Sequence, residues 1–573
     1  MSTSIYEVLD ELDGQATSKA DKGSKLERLM AQFLRTDPVY AEQFSDVWLW
    51  QDWPDRGGKH DTGIDIVAVD RLTGGNVAIQ CKFFDPNSTI SKPDIDTFLS
   101  ASGKEGFTQR IIVSTTDKWN AHAEDAIQGQ QVPVRRIGLA DLEASTIDWD
   151  AFDWATPEAL PVTDKKKLRA HQRKAIEDVC RGLASADRGK LIMACGTGKT
   201  FTSLRLAEQL VGAGGSVLFL VPSISLLSQT LREWATEAEV PLASLAVCSD
   251  RKATARSKAT NEDISAVDLA LPSTTNVAVL ESRWTQAVGE TDSMTVVFAT
   301  YQSIDVVAQA QSQGDLPAFD LIVCDEAHRT TGTTLAGENE SAFVRIHDSS
   351  YIRGDKRLYM TATPRIYDDA SKAKAGEASA VLASMDNEDL FGEELHRLGF
   401  GEAVAQDLLA DYKVLVLAVD ETAVSRTFQL QLADEGNELR LDDAAKIVGC
   451  WNGLAKRGSA EHSFDADPAP MRRAVAFAGT IKDSKHIESL FAETVRQYAA
   501  AHDLDDADGE PVLTCEIQHV DGTFNALERN TRLDWLRADV PDGVCRILTN
   551  ARCLSEGVDV PALDAVMFLS PRK

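Results

Sequence analysis

Two groups of residues in this chain could do chemistry on phosphate. The first is ACGTGKT, residues 194–200, which follows the apolar run LIMA and precedes FTSLRLAEQL. A loop between a strand and a helix, turning at Gly196, Thr197 and Gly198, lets backbone N–H groups curl around phosphate oxygens. The helix start adds partial positive charge. Lys199 would reach the β- and γ-phosphates of a nucleotide, and Thr200 would hold Mg²⁺. Asp325 and Glu326 end another apolar run, LIVCDEAH. There Asp325 can hold the magnesium through water, and Glu326 can polarise the attacking water. TATP, residues 361–364, follows a third such run, RLYM.

The second group lies in GIDIVAV (63–69) and NVAIQCKFF (76–84). Strand alternation places Gln80 and Lys82 on one face of a segment that is otherwise apolar, with the opposite face expected to anchor it in a core. DRLTGG supplies a turn, so Asp65 can meet them from the neighbouring strand. Asp65 and Gln80 offer oxygen to a hard metal such as Mg²⁺. Lys82 can orient or deprotonate a water and stabilise charge on phosphorus. Glu27, within the helical pattern KGSKLERLMAQF, could add a carboxylate.

These groups need elements to hold them. Residues 1–160 read as one small α/β domain, with a helix near Lys22–Phe33 and strands at GIDIVAV, NVAIQCKFF and RIIVST. Residues 161–375 alternate apolar strands (KLIMAC, SVLFLVP, TVVFATY, LIVCDE, RLYMTAT) with helical stretches, the pattern of a doubly wound parallel sheet. Residues 376–412 read as a connector with helices. A second strand-and-helix series occupies 413–573: KVLVLAVD, RAVAFAG, RILTNA and AVMFLS. There is no short internal repeat or low-complexity tract.

Composition bounds the classes. The 573 residues are 43% apolar, enough for packed cores. No apolar run approaches the roughly 20 residues of a membrane span, and the polar, acidic start is not a secretory signal. Nine cysteines without a CxxC pair fit a reducing cytoplasm. The net charge of −30 means that any nucleic acid must be met by local basic grooves. The basic stretch DKKKLRAHQRK (164–174) reads as a solvated face, with a DNA-contacting linker as the sharper alternative. Trp48, Trp50 and Trp53 read as packing in preference to a DNA entry, His60 as structural, and Cys81 and Cys195 as small buried side chains.

The ordered set LRAHQ (168–172), ACGTGKT, VPSISLLSQT (221–230), ATYQS (299–303), DEAH (325–328), TATPR (361–365), AFAGTIKDS (476–484) and TNARCLSEGVDVP (549–561) resembles the superfamily 2 helicases and translocases of the DEAH type. The resemblance spans about 400 residues and implies two RecA-like lobes. It also implies roles. Gln172 would read adenine, Thr361 and Thr363 would link nucleotide state to the DNA groove, and Gly557 and Asp559 would contact nucleotide from the second lobe. Ser223 and Ser225 would grip the phosphate backbone without reading bases. The family's Q-x-x-G-R-x-x-R motif is not found, which implies an incomplete second lobe. Arginines of that kind contribute about 10³–10⁵ in rate, so the chain by itself is expected to bind nucleotide better than it turns it over. DNA-stimulated turnover at an ordinary helicase rate would contradict this.

TGIDIVAV…AIQCKFF resembles the PD-(D/E)xK nucleases in their Mrr-like branch, where a Q-x-K form of the motif occurs. A nuclease followed by a motor, with the connector SMDNEDLFGEELHRLGFGEAVAQDLLADYKVLVL (384–417), resembles the single-polypeptide type ISP restriction-modification enzymes, the LlaGI and LlaBIII group. That resemblance implies ATP and Mg²⁺ as cofactors, and tracking along duplex DNA with cleavage after encounter with a second translocating copy. It also implies a C-terminal methyltransferase, using S-adenosylmethionine, and a target-recognition domain, neither of which is in this sequence. The alternatives are a type I restriction subunit, a DNA helicase whose N-terminal domain only binds DNA, and an RNA-directed DEAH helicase.

Overall fold

The computed structural model describes residues 4–58, 63–103, 106–154, 156, 159–249, 265–289, 291–334, 343–368, 381–411, 441–457, 469–501, 512–521, 524, 526–551 and 563–569. The chain divides into two compact units, Met1–Asp411 and Tyr412–Lys573. His60, Gly557, Asp559 and the run KVLVLAVD lie outside the described residues.

The first unit begins with α1 (Ile5–Gln15), α2 (Lys19–Thr36) and α3 (Pro38–Gln43). Ser18 caps α2 by accepting from the Asp21 N–H at 3.1 Å. Leu26, Leu29, Met30, Phe33 and Leu34 recur at helical spacing and are buried, each stabilising by about 1.5–3 kcal/mol. They pack on a five-stranded sheet ordered β1 (Phe44–Leu49), β2 (Ile66–Asp70), β3 (Asn76–Lys82), β4 (Phe107–Ser114) and β5 (Val134–Ile137). The first three strands run antiparallel, while β3–β4 and β4–β5 are parallel. The β2–β3 turn is closed by Asp70, whose Oδ1 accepts from the N–H and hydroxyl of Thr73 at 2.9 Å.

β3 differs from the one-faced strand expected. Both of its faces are covered. Val77 and Ile79 join the core under α2, and Ala78 joins a second core with Trp50, Trp53, Ile95 and Phe98. Helices α4 (Lys92–Ser102) and α5 (Ala121–Ile127) close that side, and α6 (Leu139–Glu143) follows β5. Gln80 is therefore only 4% exposed. Trp50 and Trp53 pack with ring centres 5.5 Å apart and planes tilted by 37° within this core, in line with the packing role.

The next elements are α7 (Ala170–Leu183), β6 (Arg188–Met193), α8 (Lys199–Leu210), β7 (Ser216–Val221), α9 (Ile224–Glu237), β8 (Leu242–Val247), β9 (Ser273–Thr274), α10 (Val277–Ala287), β10 (Met294–Thr300), α11 (Ile304–Gln313) and β11 (Phe319–Cys324). A short pair, β12 (Gly332–Thr334) with β14 (Val381–Ala383), flanks β13 (Gly354–Thr361), and β15 (Glu393–Leu398) follows. Eight strands form one sheet, ordered β15-β6-β13-β11-β7-β10-β8-β9 and parallel throughout. Its central strands β7 and β10 are buried along their whole length, as helices on both faces require. The segment read as a connector thus supplies an edge strand, β15. Its pattern Glu-Glu-Leu-His-Arg-Leu is polar because only one neighbour, β6, covers it.

A half-buried polar seam joins the two sheets. Arg232 on α9 reaches Asp141 on α6. Arg136 on β5 forks onto Asp268 at 2.7 and 3.0 Å, and the Arg135 guanidinium donates to the Ala270 carbonyl. Burial pushes the Asp141 carboxyl up, and the Arg232 charge opposes that. The basic stretch before α7 is docked too. Lys165 donates to the Ala238 carbonyl, and Lys166 pairs with Glu233 at 3.0 Å.

The second unit holds a parallel sheet ordered β17 (Thr514–Val520), β18 (Val544–Asn550), β16 (Arg473–Phe477) and β19 (Ala565–Phe568). Helices Leu441–Leu454 and Ile481–Ala501 pack with it around the buried Trp451, whose indole N–H donates to the Leu513 carbonyl at 3.0 Å. β17 carries Glu516, Gln518 and His519 among its apolar residues, which hid it from the sequence pattern. No described helix is long and apolar enough to cross a membrane.

Candidate functional site

The phosphate loop joins β6 to α8. Gly196 and Gly198 adopt φ of 80° and 82°, a region open to glycine at little cost. A Cβ on Gly198 would stand 2.4 Å from Gln172 Nε2, so a larger residue there would displace the Gln172 amide. Thr197 closes the turn by donating its N–H and hydroxyl to the Ala194 carbonyl at 3.3 and 2.7 Å. Lys199 and Thr200 open α8 and are half-buried. The Gln172 amide is turned to this loop. Its Nε2 donates to the Thr197 carbonyl at 3.4 Å, and its Oε1 accepts from the Arg169 N–H at 2.9 Å. Cys195, expected to be buried, is exposed because the loop carries it off the end of β6; Cys81 is half-buried.

Asp325 and Glu326 leave the end of β11. Asp325 is buried, which raises its carboxyl to about 6; Glu326 pushes the same way and the Lys199 charge opposes. Lys199 and the two carboxylates therefore share one electrostatic neighbourhood. Glu326 sits at φ 47°, a left-handed conformation that costs a non-glycine residue roughly 1–2 kcal/mol. The Tyr301 hydroxyl donates to the Asp325 carbonyl at 2.8 Å beside this kink. His328 Nδ1 lies 3.2 Å from Glu326 Oε2 and 3.0 Å from Thr361 Oγ1. That His328 bond is the main reason Glu326 is held below the usual carboxylate range. Thr361 Oγ1 also accepts from the Thr363 N–H at 3.2 Å. His328 Nδ1 thus stands between Glu326 and the Thr361 hydroxyl at the start of TATP. Sequence reading had assigned no role to His328; its place two residues after Glu326 was the available signal.

Ser223 caps α9 by accepting from the Leu226 N–H at 3.3 Å, and Ser225 is exposed in the helix's first turn. Gln302 donates to the Pro222 carbonyl at 3.0 Å, bringing ATYQS against the same cap.

The second site lies at the end of the β2–β3 hairpin. Ile66 pairs with Ile79, and extending that register by one residue sets Asp65 opposite Gln80. The Asp65 N–H donates to the Ile79 carbonyl at 2.9 Å, and its Oδ2 accepts from the Cys81 N–H at 2.7 Å. Gln80 donates Nε2–H to the Gly63 carbonyl at 2.9 Å, which fixes the amide. Its Oε1 is then buried with no hydrogen-bond partner among the described residues. The charges of Asp65, Glu27 and Lys82 are all felt at Cys81. Burial pushes that thiol up, Asp65 and Glu27 push it further, and Lys82 opposes them. The strand register therefore sets Asp65 beside Gln80, and Lys82 and Glu27 lie within electrostatic reach of them.

An orphaned amide oxygen beside an aspartate suits a hard cation, which prefers oxygen. Among the described residues no group of three or more His, Cys, Asp or Glu could hold a metal by itself. The protein's own donor set here is thus lean, with one carboxylate and one neutral oxygen at its centre.

Comparison with known proteins agrees with this division. Residues 35–159 match a family described as a restriction endonuclease, and residues 165–366 match the res subunit of type III restriction enzymes. A probable helicase, A859L, of African swine fever virus (isolate Pig/Kenya/KEN-50/1950) is 27% identical over 404 residues, covering 70% of this chain and 37% of its own. The structure of the ATP-dependent type ISP restriction-modification enzyme LlaBIII bound to DNA is 40% identical with a TM-score of 0.80. It covers 99% of this chain, which spans 35% of the LlaBIII chain. Over 99% of its length and at 40% identity, the chain thus corresponds to 35% of a type ISP restriction-modification enzyme, with a restriction-endonuclease segment followed by a type III res-subunit segment.

Proposed function

We propose that the chain is the nuclease and motor part of an ATP-dependent restriction endonuclease acting on foreign duplex DNA. The reading is carried by one observation: a phosphate loop facing Asp325 and Glu326, and a hairpin bearing Asp65, Gln80 and Lys82, share one compact unit. In this reading residues 1–160 are the nuclease, 161–375 the first RecA-like lobe, 376–412 the connector and 413–573 part of the second lobe.

In the motor, Gly196, Thr197, Gly198 and Lys199 bind the nucleotide phosphates, Gln172 reads the adenine, and Gly557 and Asp559 contact the nucleotide from the second lobe. Thr200 and Asp325 would hold Mg²⁺. Glu326 takes up the proton of the attacking water. The His328–Thr361–Thr363 chain passes the state of that carboxylate toward Ser223 and Ser225, which grip the DNA backbone. In the nuclease, Asp65 and Gln80 would hold Mg²⁺, with Glu27 beside them; the ion would act as a Lewis acid on the scissile phosphate. Lys82 orients the water and stabilises charge developing on phosphorus. The complete enzyme pairs with a second translocating copy on DNA and adds a methyltransferase, using S-adenosylmethionine, and a target-recognition domain.

The test is Lys82→Ala and Asp65→Ala in the complete enzyme. Both should abolish DNA cutting while DNA-stimulated ATP hydrolysis persists. Cutting that survives both substitutions ends the nuclease assignment, and stimulation by RNA over DNA ends the restriction reading.

A further inference from the structure

His171, in the first turn of α7, is buried and places Nε2 3.0 Å from the Thr197 carbonyl in the phosphate loop. A carbonyl only accepts, so this ring nitrogen carries the proton. Gln172 reaches the same oxygen from the next position, but at 3.4 Å. The shorter bond belongs to the histidine.

We propose that His171 is a positioning residue that sets the phosphate loop for anion binding. This rests on the nucleotide reading of the loop. In a trans peptide the C=O and N–H point opposite ways. Holding the Thr197 carbonyl toward α7 therefore turns the Gly198 N–H away from α7. That N–H makes no hydrogen bond among the described residues and so remains for a phosphate oxygen. The glycines on either side of Thr197, both at positive φ, let the peptide plane turn easily, so something outside the loop must fix it. Thr197's own side chain and N–H are spent on the Ala194 carbonyl and cannot do so. His171 acts on the loop and leaves the base to other residues. Its loss should weaken the grip on the β-phosphate and leave the nucleoside end alone.

Calorimetric titration of the full chain with ADP and with AMP, in Mg²⁺, reads this. His171→Phe keeps a ring and removes the donor; ADP affinity should fall about tenfold, the order of one hydrogen bond, with AMP affinity unchanged. His171→Gln places an amide N–H the same number of bonds from Cβ and should restore ADP binding to within about threefold of wild type. Equal ADP affinity in wild type and His171→Phe overturns the proposal, as does an equal loss for ADP and AMP. If His171→Phe fails to fold, selective ¹⁵N-histidine spectra of the wild type decide, because the His171 ring must be the Nε2–H tautomer before and after ADP. An Nδ1–H ring overturns the proposal. A wild-type chain that binds no ADP fails the nucleotide reading itself, whereas a failure confined to the variants or the tautomer leaves that reading standing.

Discussion

Replacing Gln80 with glutamate tests whether a neutral ligand was placed at the hairpin site for a physical reason. The side chain is 4% exposed, and its Nε2–H donates to the Gly63 carbonyl at 2.9 Å. Gln80→Glu turns that donor into a second acceptor facing a carbonyl oxygen. It also buries a carboxylate opposite Asp65. Replacing that hydrogen bond by a contact between two acceptors costs about 1–3 kcal/mol. The like charge adds to this, at about 1.4 kcal/mol for each unit by which it raises a carboxyl pKa. We expect the metal-free variant to be less stable by about 2–4 kcal/mol. A cation at about 100 times its dissociation constant stabilises by about 2.7 kcal/mol, so Mg²⁺ should return most of the loss. Wild type, with one fewer charge at the site, should respond less. The assay is urea denaturation in EDTA and in MgCl₂, followed by tryptophan fluorescence, since Trp50 and Trp53 lie in the core on the Gln80 side of the strand. Equal stability of variant and wild type in EDTA would refute the packing argument. An identical Mg²⁺ response in both would refute Gln80 as a ligand.

Two further predictions concern the frame. Arg232→Ala leaves the half-buried Asp141 without its cation and should destabilise the first unit by about 1.5–3 kcal/mol, whereas Arg232→Met with Asp141→Leu should cost clearly less; denaturation showing the double variant to be the worse would contradict this. His347 is buried between the Tyr359 hydroxyl and the Thr330 carbonyl, each at 3.0 Å, and burial pushes its pKa down to about 4. The unfolded chain, near 6.5, takes up the proton first, so this stability is present above about pH 6.5 and is lost as pH falls toward 4, by about 3 kcal/mol. The stability difference between wild type and His347→Gln should shrink across that window; a difference independent of pH would show that the fold does not depress the His347 pKa.

What could be read from the sequence followed from local rules. A phosphate loop needs glycines between a strand and a helix, and ACGTGKT states this outright. Asp65, Gln80 and Lys82 were legible because alternation fixes faces and a short turn fixes the partner strand. Other features depended on contacts distant in sequence. Whether β3 had one covered face or two was decided by α4 and α5, which follow it. β15 escaped because an edge strand beside one neighbour needs little apolar surface. His328 escaped because its role exists only once β13 brings Thr361 beside β11. Gly557 and Asp559, assigned by resemblance, lie outside the described residues.

α9 explains why two chemistries would share one unit. Its N-terminus is capped by Ser223 in the segment proposed to grip DNA. Further along the same helix, Arg232 enters the polar seam with Asp141, and near its end Glu233 and Glu237 hold the approach to α7 through Lys166. A helix hydrogen-bonded along its length moves as a rod. If Ser223 follows the DNA backbone, Arg232 must follow with it, and the nuclease sheet with Arg232, unless the seam breaks. Breaking it would cost the Arg232–Asp141 pair together with the Arg136–Asp268 and Arg135–Ala270 bonds, at about 1.5–3 kcal/mol for each bond to a charged group, more in sum than the 1–3 kcal/mol typical of coupling between sites. The nuclease therefore rides on the first lobe as one body, and any motion that brings it to DNA must arise outside that seam.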